Sequence, residues 1–376
     1  MVVHPDSIRT GDRVPHGGET DRTVLDFSAN TNPYTPDGVE AVYEGALEAS
    51  RRYPDDDYPD FRAAAATFVD CEPERVIPTP GGLAAIRLAM ECTLEPNDEA
   101  LIPYPSFGEY AREVRLQGAS PRFVSHDELL AVGDGLLEEC RLAVVCTPNN
   151  PTGEATDPDA LATFAARCGE AGTTLLVDEA FLGFTELPSA ARLEAEHVIV
   201  ARSLTKLFGL PGLRAGFAVA TGEQRDALET ARRAWSLGTP AARVGAHCLR
   251  RDAFVRDTRE RVERERERMR EALERRFDVV PSDAPYLLCD VDEQSVDDVI
   301  ASAREDGVAI RDATTFRGLD SHVRVAVKDR ERNDGLLAAL EVLEGSKRSV
   351  DEGDETGEGD GIDAGDETND EGTRSE

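Results

Sequence analysis

Four short apolar runs crowd the middle of the chain: LAVVC at 142–146, TTLLV at 173–177, HVIVA at 197–201 and GFAVA at 216–220. Runs this brief, without polar alternation, fit strands buried on both faces, as in a parallel sheet covered by helices. Between the first two lies PDALATFAARCGEAG, 158–172, a stretch of helical periodicity that closes on Gly172. Strand and helix patterns in alternation predict an α/β domain with a largely parallel sheet. Ligands of such sheets sit beyond the carboxyl ends of the strands, so the residues just after each run are the first candidates for chemistry.

The pattern changes near residue 250. RERVERERERMREALERRF, within 250–277, carries opposite charges at i,i+4 spacing and predicts a mostly solvated helix joining two halves. YLLCDV (286–291), VAIRD (308–312) and VRVAV (323–327) follow as strands with helices between, which gives a smaller α+β unit. The expected organisation is an N-terminal arm or lid at 1–35, a large domain at 36–245, a small domain at 246–345 and a tail at 346–376. From Asp351 onward that tail holds twelve acids and one arginine, too little apolar surface to offset the entropy of ordering, so disorder is expected.

Composition narrows the functional classes. Among 376 residues, 42 Lys and Arg face 75 Asp and Glu, a net charge of −33 that repels nucleic acid. All but three of the basic residues are arginine, the lysines being Lys206, Lys328 and Lys347. Such carboxylate density resembles adaptation to a salt-rich cytoplasm, where ions screen self-repulsion. No stretch approaches the length of a membrane span, and MVVHPDSIRT lacks the apolar core of a signal peptide, so a cytoplasmic protein is expected, with no membrane partner. Seven cysteines without a C-x-x-C pair or neighbouring histidines read as small buried hydrophobes, with no metal site.

The sharpest chemistry lies in ARSLTKLFGLPGLRAGFAVA, 201–220. A lysine amine (Lys206) condenses with an aldehyde, while hydroxyls (Ser203, Thr205) and a guanidinium (Arg214) hold a phosphate. Those are the needs of a pyridoxal-phosphate site. S-L-T-K-L-F-G-L-P-G-L-R-A-G resembles the lysine motif of fold-type I pyridoxal-phosphate enzymes, in the aspartate and histidinol-phosphate aminotransferase branch. The resemblance implies a large mixed, mostly parallel seven-stranded sheet with a small α+β domain.

Three further motifs stand in the family's order. In CTPNNPTGEA, 146–155, Asn150 would meet the cofactor's phenolic oxygen; in VDEAF, Asp178 would pair with its pyridine nitrogen and deepen the electron sink. In PTPGGLAAIRLAM, 78–90, the amides of Gly82 and Leu83 would face the phosphate at a helix N-terminus. PYPSFGEY, 103–110, places Phe107 where relatives stack an aromatic on the ring. Tyr53 matches a tyrosine that reaches the neighbouring subunit's cofactor, which implies a homodimer with shared sites. One position departs: relatives carry tyrosine three residues after the aspartate, and here it is Phe181, which cannot donate that hydrogen bond.

Reaction type follows from the substrate-facing segments. HGG at 16–18 with DFSANTNP at 26–33, and GVAIRDATTFRGLDSHVRVAVKDRERNDGLLAAL at 307–340, look like L-threonine-O-3-phosphate decarboxylases of cobalamin biosynthesis. By that resemblance Arg324 would bind the substrate carboxylate and Arg311 its phosphate, with His16 and Asn30 closing over a phosphorylated amino acid. Histidinol-phosphate aminotransferase, or a related amino-acid aminotransferase, is the alternative within the same family. A pyridoxal-phosphate-binding regulator is the alternative from another class. Regulators of that kind carry a DNA-binding module ahead of the aminotransferase-like part, and the roughly 25 residues before DFSAN are expected to be too few for one.

Overall fold

The computed structural model describes residues 5–342. The expected acidic tail lies outside the described residues. In chain order the strands are β1 Leu25–Asp26, β2 Val76–Thr79, β3 Glu99–Tyr104, β4 Ser120–Ser125, β5 Leu142–Cys146, β6 Thr174–Asp178 and β7 Val198–Ser203. They continue with β8 Gly216–Val219, β9 Asp278–Val279, β10 Tyr286–Asp290, β11 Val308–Ala309, β12 Arg311–Asp312 and β13 His322–Ala326.

Seven of them form one sheet in the order β2-β8-β7-β6-β5-β3-β4, in which β8 alone runs against its neighbours. This is the mixed, mostly parallel seven-stranded sheet the sequence implies. Side chains alternate between its faces: Val145, Val177 and Val200 join the larger apolar cluster, while Val144, Leu176 and Ile199 join a second one with Ile86, Met90 and Tyr110. Helix Pro158–Ala171 forms where expected. Asp157 caps it by accepting from the amides of Asp159 and Ala160, and Gly172 ends it in the left-handed region.

The apolar runs do not mark β3 and β4. β4 is an edge strand, half exposed along its length and carrying Pro121 and Arg122, so it lacks the continuous apolar run of a central strand. VAIRD also does more than one strand's work. Val308–Ala309 pairs in parallel with β1, and Arg311–Asp312 pairs antiparallel with β13 in the small sheet β12-β13-β10-β9.

Helix Asp252–Leu273 corrects the expectation of a mostly solvated connector. Val255, Thr258, Val262, Glu265, Met269 and Leu273 form a buried stripe at three- and four-residue spacing. Its charged residues occupy the other face, and their density conceals the stripe in the sequence. The N-terminal stretch expected as an arm is stitched into the small sheet's surroundings at 25–27: the amide of Phe27 donates to Ala309, and its carbonyl accepts from Ala326.

Candidate active site

The strand order sets the site. β5, β6 and β7 end side by side, β2 ends at the same edge beyond antiparallel β8, and residues after each line one cavity of about 320 Å³. Of the fourteen residues singled out from the sequence, thirteen line it. After β2, Gly81 takes a φ of 97° and starts helix Gly82–Thr93, bringing Gly82 and Leu83 to the cavity. Gly216, at the start of β8, packs so closely on this turn that a Cβ there would stand 2.6 Å from the carbonyl carbon of Gly81. Beyond β3, Phe107 supplies an aromatic wall; beyond β5 comes Asn150; Asp178 closes β6; Ser203 ends β7, followed by Thr205 and Lys206.

Asp178 is buried and doubly held. The Tyr110 hydroxyl donates to its Oδ2 at 2.6 Å, and the amide of Ala180 donates to its Oδ1 at 3.0 Å. Burial pushes its carboxyl up from the ordinary carboxylate range, while those two hydrogen bonds pull it back. Tyr110 is a cavity-lining residue that the sequence reading missed. It lies three residues after Phe107, one helical turn on, and that spacing was its only signal.

Lys206 has no hydrogen-bond or ion-pair partner for its ammonium among the described residues. Burial first, then the charges of Arg324 and Arg214, push the ammonium down to about 8, with Asp26 opposing. Because its folded value lies below the unfolded one, the cofactor-free protein carries the full cost of this lysine below pH 8. That cost disappears as pH rises from 8 to 10.5. Lys206→Met should therefore stabilise the cofactor-free protein at pH 7, by up to about 3 kcal/mol, with the gain shrinking to nothing near pH 10.5. Denaturant midpoints of both proteins across that range check it, and a gain independent of pH would contradict it.

Two arginines enter from the small sheet. Arg311 on β12 and Arg324 on β13 stand directly opposite each other in the strand register. Like charges so placed repel and need a reason to be there. Arg324 is buried; it donates to Asn150 Oδ1 and to the carbonyl of Ser28 at 3.3 Å, and its Nε has no partner. Burial, with Arg311 adding to it, pushes its guanidinium down to about 10. Arg311 donates to the carbonyl of Pro15 at 2.8 Å and to Thr315 Oγ1 at 2.9 Å. Phe316 lies between them, its ring centre 5.8 Å from one guanidinium carbon and 5.5 Å from the other. Neither arginine meets a carboxylate among the described residues, in a chain of 75 acids.

At the mouth, His16 Nε2 lies 2.9 Å from Glu109 Oε1, and Asn30 is buried with Oδ1 unpartnered. Tyr53 is the expected residue that the chain does not bring to this cavity. It is 79% exposed and stacks on Trp235 at 4.5 Å, a second surface-exposed ring. Phe181 lines the cavity and packs edge-on against Tyr286 at 5.0 Å, whose hydroxyl donates to the carbonyl of Asn149. The tyrosine thus does not restore the hydrogen bond that Phe181 lacks. Five cysteines are buried and two half-buried, all of them free thiols.

The donor set fits pyridoxal phosphate. A cavity-lining lysine without partners among the described residues offers the amine, a buried carboxylate faces the same space, and Arg214 donates to the carbonyl of Pro211 at 3.2 Å. A Cβ on Gly81 would stand 2.6 Å from Arg214 Nη2, so the absence of a side chain there leaves that guanidinium its place beside the helix N-terminus.

Comparison with known proteins agrees. Residues 22–340 match the family model for aminotransferase class I and II. The chain is 32% identical over 326 residues to histidinol-phosphate aminotransferase 2 of Archaeoglobus fulgidus, covering 85% of this chain and 93% of that protein. It is also 32% identical over 331 residues to threonine-phosphate decarboxylase of Salmonella typhimurium, covering 84% and 90%. Its fold superposes with a TM-score of 0.77 on histidinol-phosphate aminotransferase from Sinorhizobium meliloti, solved with pyridoxal-5'-phosphate, at 19% identity over 91% of this chain and 98% of that one.

Proposed function

From a chain that belongs to the aminotransferase class I and II family of pyridoxal-phosphate enzymes, we propose a decarboxylase that converts L-threonine O-3-phosphate to (R)-1-amino-2-propanol O-2-phosphate for cobalamin biosynthesis. The observation that carries this reading is the cross-strand pair Arg311 and Arg324, two guanidiniums at one cavity without a carboxylate partner. Such a pair suits a substrate with two anionic ends. Threonine phosphate has both a carboxylate and a phosphate, whereas histidinol phosphate has only the phosphate. A histidinol-phosphate aminotransferase remains the second reading, supported by equal identity to such a relative. Its amine donor, glutamate, also carries two anionic ends.

Bound pyridoxal phosphate supplies the electron sink for the carbon that loses carbon dioxide. The protein's own groups do the rest. Asn150, Ser203, Thr205, Arg214 and the amides of Gly82 and Leu83 would hold the cofactor, Phe107 would cover its ring, and Asp178, steadied by Tyr110, would serve its pyridine nitrogen. Arg324 fixes the substrate carboxylate and Arg311 its phosphate, so that remote binding energy sustains the reactive orientation. When the carboxylate leaves, the carbon retains the bonding pair and takes a proton from Lys206 Nζ. Burial and the charges of Arg324 and Arg214 favour the neutral amine, which eases that transfer. The exposed Tyr53 and Trp235 stack belongs, in this reading, to the interface of a homodimer with shared sites.

A binding comparison tests the two-anion reading. The cofactor-loaded protein should bind L-threonine O-3-phosphate roughly 100-fold more tightly than O-phosphoethanolamine, which lacks the carboxylate, the loss expected for one buried charged hydrogen-bonded pair. A KM for L-threonine O-3-phosphate no lower than the inhibition constant of O-phosphoethanolamine would defeat it.

A further inference from the structure

Only three of the 42 basic residues are lysines, and two of those, Lys206 and Lys328, are found at the same buried place. Lys206 faces the cavity. Lys328 does not line it, and no motif singles it out.

Lys328 is 7% exposed, and it makes no ion pair among the described residues. Its Nζ donates to the carbonyl of Ala29 at 2.9 Å and to that of Thr31 at 2.8 Å. These are the carbonyls on either side of Asn30. The backbone that presents Lys328 is itself fixed: its amide donates to Oδ1 of the buried Asn333, whose Nδ2 donates to Glu265. On the other side of the loop, Asp26 Oδ1 accepts from the amides of Ser28 and Ala29 and from Ser28 Oγ. Lys328 and Arg324, four residues apart, together hold the carbonyls of residues 28, 29 and 31.

Asn30 is what this grip leaves free. It is 4% exposed and lines the cavity, and among the described residues neither its Oδ1 nor its donor Nδ2 has a hydrogen-bond partner. A buried amide is ordinarily hydrogen-bonded within the protein, and one left open toward a cavity awaits a ligand. A buried ammonium without a carboxylate is also costly, and burial pushes Lys328 down to about 8. Two neighbouring costs on one loop are explained together if the first exists to aim the second. The ammonium bridges two carbonyls two residues apart, with Asn30 between them.

We infer that Lys328 is a positioning residue for substrate recognition: it clamps the backbone on both sides of Asn30 so that the Asn30 carboxamide, beside Arg324, donates through Nδ2 to the carboxylate end of the substrate. This rests on the proposed decarboxylase reading for the identity of that substrate.

The test uses the cofactor-loaded enzyme and the variants Lys328→Met, Asn30→Ala and their combination. Each single variant should raise KM for L-threonine O-3-phosphate roughly 10- to 100-fold, the loss of a hydrogen bond to a charged group. kcat should change much less. The double variant should be no worse than Asn30→Ala, because Lys328 acts through Asn30. Calorimetric affinity for aminopropanol phosphate, which has no carboxylate, and the visible absorbance of the bound cofactor should both stay at wild-type values. An unchanged KM in Lys328→Met, additive losses in the double variant, or equal weakening toward aminopropanol phosphate would each overturn the clamp. Should Lys328→Met fail to fold, Lys328→Arg keeps the cation and is read in the same cycle with Asn30→Ala. If the wild-type enzyme itself ignores L-threonine O-3-phosphate, the decarboxylase reading falls. The same cycle is then run with glutamate, whose α-carboxylate makes the same demand on Asn30, and the same losses and non-additivity decide it.

Discussion

Lys206→Ala abolishes turnover: activity should drop by at least the ~10²–10⁴-fold that a positioned general acid–base group contributes, and further because the covalent anchor goes with it. The visible absorbance of the lysine-bound cofactor should disappear in the same protein. Both effects come from the local design. Lys206 follows β7 directly, at the carboxyl ends of strands that also deliver Asn150 and Asp178, and its ammonium has no competing partner. Burial and two neighbouring arginines lower its proton affinity, which suits an amine that must both attack a carbonyl and return a proton. The fold should survive the change, since removing a buried, unpaired ammonium relieves a cost. Near-normal activity in a variant with intact cofactor content would reject the assignment.

Arg324→Met should lower kcat/KM for the phosphorylated amino acid by roughly 10²–10³-fold, matching the ~2–5 kcal/mol cost of truncating one partner of a buried charge pair. Arg324 reaches the cavity from β13, faces Arg311 across the strand pair and keeps Nε free, while its other nitrogens hold Asn150 and the Ser28 carbonyl. The loss should fall on kcat as well as KM, since the arginine sets which bond of the substrate is presented for cleavage. Lysine is no substitute, because a point charge cannot reproduce the fork that spans carboxylate, Asn150 and Ser28. O-Phosphoethanolamine, with no carboxylate, should bind the variant and the wild type alike. Unaltered kcat/KM in Arg324→Met would remove Arg324 from the substrate site.

The large domain was legible because its central strands are buried on both faces. β5, β6 and β7 leave unbroken apolar runs in the sequence, and the residues at their carboxyl ends are those the cofactor motifs single out. β4 was not, because it is half exposed and carries Ser120, Pro121 and Arg122 in place of an apolar run. The buried stripe of helix Asp252–Leu273 was hidden by charges on its opposite face. Long-range pairing accounts for what was missing from the site. Arg311 and Arg324 were each singled out, but their opposition depends on a strand register, and Lys328 meets residues nearly 300 positions earlier in the chain. Tyr110 lay within a segment already singled out, yet its role depends on Asp178, 68 residues on. Contacts of that kind leave no spacing to read.

The central claim is the reaction itself. The most direct measurement incubates the purified, pyridoxal-phosphate-loaded protein in high salt with L-threonine O-3-phosphate and no keto acid, and quantifies carbon dioxide and aminopropanol phosphate. Catalytic release of both in equal amounts is the result expected here. No carbon dioxide from a protein with its cofactor bound, together with amine transfer from histidinol phosphate to 2-oxoglutarate, would contradict it.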